Sequence, residues 1–342
     1  MTVSRFNRNF FNVIGLLLIT LAASAAKSRP LEIYFIDVEG GQATLLVSPS
    51  RQSVLIDTGW AGARDAERIV GAAKAAKLKH IDYVLITHYH QDHVGGFVDL
   101  QQRIPIGIVV DHGPDVEDSD NARKLYTTYE KATKHSKRIH LAPGEGIPLQ
   151  GIAFEVLTAA GQHISEPLPG AGEANFHCAS EPEPKPDSSE NAQSIGVLVT
   201  YGKFRFLDLG DLTERKELEM VCPNNLIGTV SLYLATHHGV APDNPKALVW
   251  ALHPQVAIMN NGAHKGGYPE AWQIIHDSPG LADLWQLHYA VDSGKEHNVG
   301  GDFIANLDEN SDGHYIKVEA HPDGGFTVTN SRNGVSRKYV QK

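Results

Sequence analysis

His88-Tyr89-His90-Gln91-Asp92-His93 crowds four good metal ligands into one short stretch in the order His-x-His-x-Asp-His. Imidazole and carboxylate are ligands that zinc, iron and manganese accept, and an i, i+2 histidine pair with Asp-His behind it can serve two adjacent cations. A lone histidine is usually a surface or satisfied core residue, but ligand-type residues seldom cluster like this for either reason. The run Ile81 to Thr87 just before them is short, mostly apolar and rich in β-branched residues, as in a strand buried on both faces. Gly95-Gly96 follows and lets the loop turn tightly enough to aim several side chains at one point. Two divalent cations side by side lower the pKa of a bridging water and polarise an acceptor oxygen, so the expected chemistry is hydroxide attack on a carbonyl or phosphoryl centre. Asp92 has two candidate jobs: to bind the second cation and to hold the hydroxide proton. No Gly-x-Ser-x-Gly elbow or phosphate loop competes with this reading.

Further segments carry a family resemblance. Leu55-Ile56-Asp57-Thr58-Gly59, the metal loop, Phe206-Leu207-Asp208-Leu209-Gly210-Asp211 and Ala235-Thr236-His237-His238-Gly239 stand in the order found in the metallo-β-lactamase superfamily, which the chain resembles from about residue 31 to its C-terminal hairpin. The resemblance implies a four-layer αββα sandwich, with Asp57 beneath the metal loop and Asp211 bridging two metals. It implies His88 and His90 on the first metal, and Asp92 and His93 on the second with His237 or His238. His237, which leaves its strand first, is the expected ligand and His238 the substrate-facing partner. More narrowly, Ile36-Asp37-Val38-Glu39-Gly40-Gly41-Gln42-Ala43-Thr44 and Asn191 to Val199 look like the soluble hydrolase domain of bacterial DNA-uptake channels and its free-standing relatives.

The chain departs from that pattern twice. Gln42 replaces an aspartate those relatives carry, removing a carboxylate expected near the mouth of the site. Asn191 stands where many superfamily members have a histidine ligand, and an amide oxygen binds zinc poorly, so His163 or His177 of the preceding loop are alternatives. Cys178 is a further, softer candidate. Asn260-Asn261-Gly262-Ala263-His264-Lys265 follows a predicted strand and reads either as an edge of the substrate pocket, which would bring His264 to it, or as a plain strand-to-helix turn. His253, His276, His288, His297 and His321 read as surface or packed residues.

The elements that must position these groups alternate along the chain. Strands are expected at 32–37, 43–48, 53–56, 106–110, 152–157, 195–201, 204–209, 230–235 and 255–259, with a final hairpin of 315–320 and 326–329. Helices are expected at 64–77, 121–134, 214–221, 245–252 and 269–276, with Ser119 or Asp120 capping the second. With 342 residues, one large domain over 31–340 is feasible, because the candidate ligands run from His88 to His238 and must converge. Residues 161–190 form an irregular insertion ending in Glu181-Pro182-Glu183-Pro184-Lys185-Pro186-Asp187, either a mobile surface loop or a lid over the site.

Residues 1–25 read as an export signal. Arg5 and Arg8 precede an apolar stretch from Phe10 to Ala23 and the small residues Ala23-Ser24-Ala25, with a cut near Ala25 or Ala26. The apolar stretch is short for a membrane span, so the mature chain is expected in the periplasm or secreted. Losing those two arginines moves the formal charge from −10 to −12, which opposes a polyanion. Cys178 and Cys222 are the two cysteines of the chain; nothing in the sequence brings them within bonding distance, and the expectation leans against a disulfide.

The resulting expectation is an exported hydrolase using zinc, with manganese or iron as alternatives, on a small or exposed phosphodiester. Acidity and the lack of a basic, aromatic-interleaved stretch disfavour long nucleic acid. Cleavage of a lactone or β-lactam is the alternative within the class, since one metal core serves many substrates. A metal-stabilised binding protein without turnover is the alternative of another class, suggested by Gln42 and Asn191.

Overall fold

The computed structural model describes residues 1–2, 29–183 and 185–340. The predicted export segment, apart from Met1 and Thr2, lies outside the described residues.

Six strands come first: β1 (Leu31–Phe35), β2 (Thr44–Val47), β3 (Ser53–Ile56), β4 (Ile81–Leu85), β5 (Ile106–Asp111) and β6 (Lys137–His140). Eight follow: β7 (Ala153–Ala159), β8 (Gln162–His163), β9 (Gly196–Tyr201), β10 (Phe204–Asp208), β11 (Leu232–Leu234), β12 (Val256–Met259), β13 (Asp283–His288) and β14 (Ile304–Asn306). The chain then returns to the first sheet with β15 (Ile316–Ala320), β16 (Phe326–Asn330) and β17 (Ser336–Tyr339). The first sheet runs β17-β16-β15-β1-β2-β3-β4-β5-β6 and the second β14-β13-β12-β11-β10-β9-β7-β8.

Strand alternation divides the apolar residues between two faces. Val54 and Ile56 of β3 turn inward with Phe35 and Val110 to meet Val156, Val199, Phe206 and Trp285 of the second sheet. Leu55, between them, faces the opposite way, onto Ile69 and Ala72 of the helix Ala63–Ala75. On the far side Leu207, Tyr233 and Ala257 pack beneath Leu218, Leu248 and Ile275 of three further helices. Two mixed sheets covered by helices on both outer faces make the expected four-layer αββα sandwich.

The pairs β3–β4, β4–β5, β10–β11 and β11–β12 are parallel. In parallel sheets with crossover helices, loops at the carboxyl ends of the strands collect on one edge, where ligands bind. Asp57 follows β3, His88 follows β4, Asp211 follows β10, and His237-His238 follow β11.

Several elements differ from expectation. Lys137–His140 is a strand without an apolar pattern; it lies at a sheet edge, where charged residues discourage further pairing. β13 also lacked a strand signature because it buries Gln286 and His288, whose polarity masks the period. Gln286 is tolerated there because Val299 N donates to its carbonyl at 2.8 Å and its amide donates to Asn298 at 3.1 Å.

The insertion is built in rather than loose over most of its length. Leu168 N and Asn175 N donate to the carbonyls of Leu226 and Pro223, both at 2.9 Å, and Ala174 bridges Asn224. Cys178 is disulfide-bonded to Cys222, with Cα atoms 5.8 Å apart, which corrects the expectation that they stay apart and removes Cys178 as a metal ligand. Their proximity is created by this tertiary pairing, across 44 residues of sequence. His163, hydrogen-bonded to Ile164 O, and His177, packed on Trp250, are also engaged elsewhere.

Candidate metal centre

The end of β3 clamps the histidine-rich loop. Asp57 adopts a left-handed backbone (φ 59°) that turns its carboxylate beneath that loop. Thr87 donates to it through N at 2.8 Å and Oγ1 at 2.7 Å, and its Oδ2 lies 2.7 Å from His93 Nδ1. Thr58 donates to His93 O from both N and Oγ1, at 2.7 and 2.8 Å. The imidazole of His93 is thus oriented from behind, as a metal-binding histidine requires. Gly41 must lack a side chain, since a Cβ there would stand 2.4 Å from Asp92 O.

The second sheet brings the rest. Asp211 Oδ2 lies 3.1 Å from His93 Nε2, 3.4 Å from His237 Nε2 and 3.9 Å from His88 Nε2. His237 and His238 both take left-handed backbones, φ 51° and 56°, which sharply reverses the chain after β11. The reversal sends His238 inward, so His238, not the expected His237, joins Asp92, His93 and Asp211. One ligand-type atom from each of these four buried residues lies within 4.8 Å of all the others. His237 is directed toward a cleft, with Nδ1 2.6 Å from Asp243 Oδ2.

These residues fit a cation. His88 Nε2, Asp211 Oδ1 and Asn191 Oδ1 are buried without a hydrogen-bond partner among the described residues. Buried lone pairs without donors are costly unless something positive meets them. His88 stacks edge-on to His90, ring centres 4.6 Å apart, but His90 is partly exposed and its Nε2 lies 3.2 Å from Glu117. His88 is accordingly the firmer contributor to a first site.

Electrostatics point the same way. Burial disfavours a charge on His93, yet Asp211, Asp92 and Asp57 outweigh it and raise its pKa well above the usual imidazole range. Burial would raise Asp211, but His238, His93 and His237 hold its carboxyl well below the ordinary value. Burial also opposes ionisation of Asp92, and His93, His238 and Lys265 overcome it. For His88, burial and the neighbouring His93 act together to lower the pKa well below the usual value, leaving a neutral imidazole. The pocket demands positive charge and keeps at least one histidine in the form that binds a metal.

Other residues singled out in the sequence are placed differently. Gln42 is buried, not at the mouth, and its Nε2 lies 3.0 and 2.9 Å from the two carboxylate oxygens of Asp208. A carboxylate at position 42 would face another carboxylate, whereas the amide donates to it. Asn191 is tied to the metal loop through its neighbour Glu190, whose carboxylate accepts from Tyr89 N at 3.0 Å and contacts His112 Nε2 at 2.8 Å. His264 is exposed and pairs with Asp292 at 3.0 Å, outside the centre. The sequence signalled neither Glu117, Asp243 nor Glu190, because each reaches its histidine across a loop. Lys265, within a segment considered as a pocket edge, contacts Asp92 directly.

A cleft of about 530 Å³ adjoins the centre, lined on one side by His237, Asn191, Thr213 and Asp243. Pro182, Glu183, Lys185 and Asp187 line its other side, so the proline-rich end of the insertion borders this cleft.

Residues 36–181 match the family model described as Metallo-beta-lactamase superfamily. The match stops before Asp211 and His238, which only the fold joins to the first half. Among curated proteins, the thioesterase pkgB of Emericella nidulans is 37% identical over 75 residues, 22% of this chain and 22% of that protein. The beta-lactamase-like protein 2 homolog of Caenorhabditis elegans is 33% identical over 64 residues, 19% of this chain and 22% of that protein. The chain therefore spans about a fifth of the length of these relatives. Among solved structures, the metallo-beta-lactamase fold protein YhfI from Bacillus subtilis superposes with TM-score 0.46 at 14% identity, covering 75% of this chain and 96% of that one.

Proposed function

Because residues 36–181 match the metallo-β-lactamase superfamily model, we propose that the chain is an exported metal-dependent hydrolase acting on a phosphodiester. The observation that carries the hydrolase reading is the convergence of Asp92, His93, Asp211 and His238, with unpartnered buried atoms on His88 and Asp211, beside an open cleft. Asp92, His93, Asp211 and His238 would hold one divalent cation, and His88 with His90 and Asp211 a second, with zinc favoured by the nitrogen-rich set and manganese or iron as alternatives. Bound there, such ions would activate water and polarise the scissile group.

The chain's own residues do the rest. Asp57 holds His93 in its tautomer. Asp92 accepts the proton of the attacking water. His237, backed by Asp243 and facing the cleft, is placed to donate a proton to the departing oxygen. Its pKa is raised, because Asp211 and Asp243 outweigh its burial. The phosphodiester rests on the likeness of residues 36–44 and 191–199 to the hydrolase domain of DNA-uptake channels. Acyl substrates form a second reading, which the named activity of the thioesterase relative favours.

Purified protein reconstituted with zinc should hold between one and two equivalents and cleave bis-p-nitrophenyl phosphate faster than nitrocefin, a lactone or a thioester. Asp92→Asn should lower turnover about a hundredfold or more while remaining folded. His238→Ala should lose metal and His237→Ala should retain it. Less than about a tenth of an equivalent of metal after reconstitution would sink the hydrolase reading. Metal without turnover, unaltered in Asp92→Asn, would instead favour a metal-stabilised binding protein.

A further inference from the structure

We infer that Lys265 is a specificity-determining residue that recognises the negative charge of the scissile phosphodiester, an inference that rests on the hydrolase reading above. Its Nζ contacts Asp92 Oδ2. That same oxygen lies 3.3 Å from both His93 Nε2 and His238 Nε2, so the ammonium stands at the edge of the four-residue cluster.

Lys265 is held there by its backbone. Gly262 N donates to Lys265 O at 2.8 Å, and Gly267 N donates to His238 O at 2.8 Å, which zips this loop onto the loop bearing the two histidines. Gly40 presses from the other side: a Cβ there would stand 2.9 Å from Lys265 Cβ. The side chain emerges 35% exposed, with its Nζ 5.4 Å from the ring centre of Trp60. Trp60 lines a second cleft of about 480 Å³ together with Glu39 and Arg64. Nearby cations are already committed, Arg64 to Asp65 at 2.6 Å and Arg68 to Asp37 at 2.8 Å.

Asp92 would hold a cation with the charge that Lys265 faces, and the ammonium would then be short of an anionic partner while 35% exposed. A non-bridging oxygen of a phosphodiester monoanion supplies that partner, whereas a neutral ester does not. A lysine is suited to this role as a compact point charge on a flexible stem.

The test uses zinc-loaded wild type, Lys265→Met and Lys265→Arg. Zinc content is measured first, then binding of inorganic phosphate by calorimetry. Next comes kcat/KM for bis-p-nitrophenyl phosphate and for dimethyl p-nitrophenyl phosphate, a neutral triester with the same leaving group. Expected are unchanged zinc, phosphate binding weakened at least about tenfold in Lys265→Met, and a diester loss at least about tenfold greater than the triester loss, a discrimination of one charge-assisted contact. Lys265→Arg should recover most of both. Equal losses on diester and triester, or phosphate binding as in wild type, would overturn the assignment. If wild type hydrolyses neither ester, the hydrolase reading fails while the phosphate titration still decides Lys265: binding retained in Lys265→Met, or absent from wild type, refutes it.

Discussion

Asp208 shows what the buried amide of Gln42 does. It is buried beneath the centre, and burial pushes its pKa up to about 7 against hydrogen bonds from Gly210 N and Gln42 that favour the carboxylate. Gln42 is therefore a donor matched to a partly protonated neighbour, and an aspartate in its place would set two acids against each other. The pH dependence follows from the direction of the shift. A carboxyl whose folded pKa lies above its unfolded value near 3.9 contributes most below that value, and the contribution falls as pH climbs toward about 7, then stays level. Asp208→Asn has no charge to bury. Wild type should thus lose about 2 kcal/mol relative to Asp208→Asn between pH 5 and pH 8, read as a narrowing or inversion of the difference in unfolding free energy. A pH-independent difference would show that Asp208 does not titrate in this range.

At the scale of elements, the centre depends on loops held by other loops. The segment before the Cys178–Cys222 bond pairs with residues 223–226, and Glu181 just after it accepts from the N–H of Ala247 at 2.7 Å. The bond thus fixes the root of the proline-rich stretch that borders the cleft with His237. Closing 44 residues of separation should stabilise the chain by about 2 to 4 kcal/mol, chiefly by restricting the unfolded state. The Cys178→Ala, Cys222→Ala double variant should unfold at lower denaturant by that amount, and reductant should lower the wild-type midpoint but not the variant's. Coincident unfolding curves for the two proteins would remove the bond from the stability of the fold.

For the whole molecule, two features bear on where it works. The disulfide suits an oxidising compartment. Among the described residues no helix is long and apolar enough to cross a membrane. The disulfide and the charged, apolar, small-residue order of residues 5–26 support the proposal of export. N-terminal sequencing of protein recovered from a bacterial periplasm or medium should start near Ala26 or Lys27. Recovery of only the full-length chain from the cytoplasm would refute the proposal.

What the amino-acid order determined by itself was local. His88 to His93 announced a metal loop because ligand types at short spacing need no tertiary information, and the flanking apolar run and glycines placed that loop at a strand end. The short apolar run of β3 and the helical spacing in Ala63–Ala75 likewise made most of the sandwich legible, since a strand buried on both faces reads as a continuous apolar run and a helix shows its buried stripe. The tertiary structure decided what depends on direction and on distant partners. Two left-handed residues after β11 chose His238 over His237 for the cluster, a backbone reversal that no side-chain pattern encodes. Pairing with residues 223–226 brought Cys178 to Cys222, and burial against Asp208 gave Gln42 its role. Lys265 meets Asp92 only because loops from both sheets close on the same edge, across a sequence separation of 173 residues.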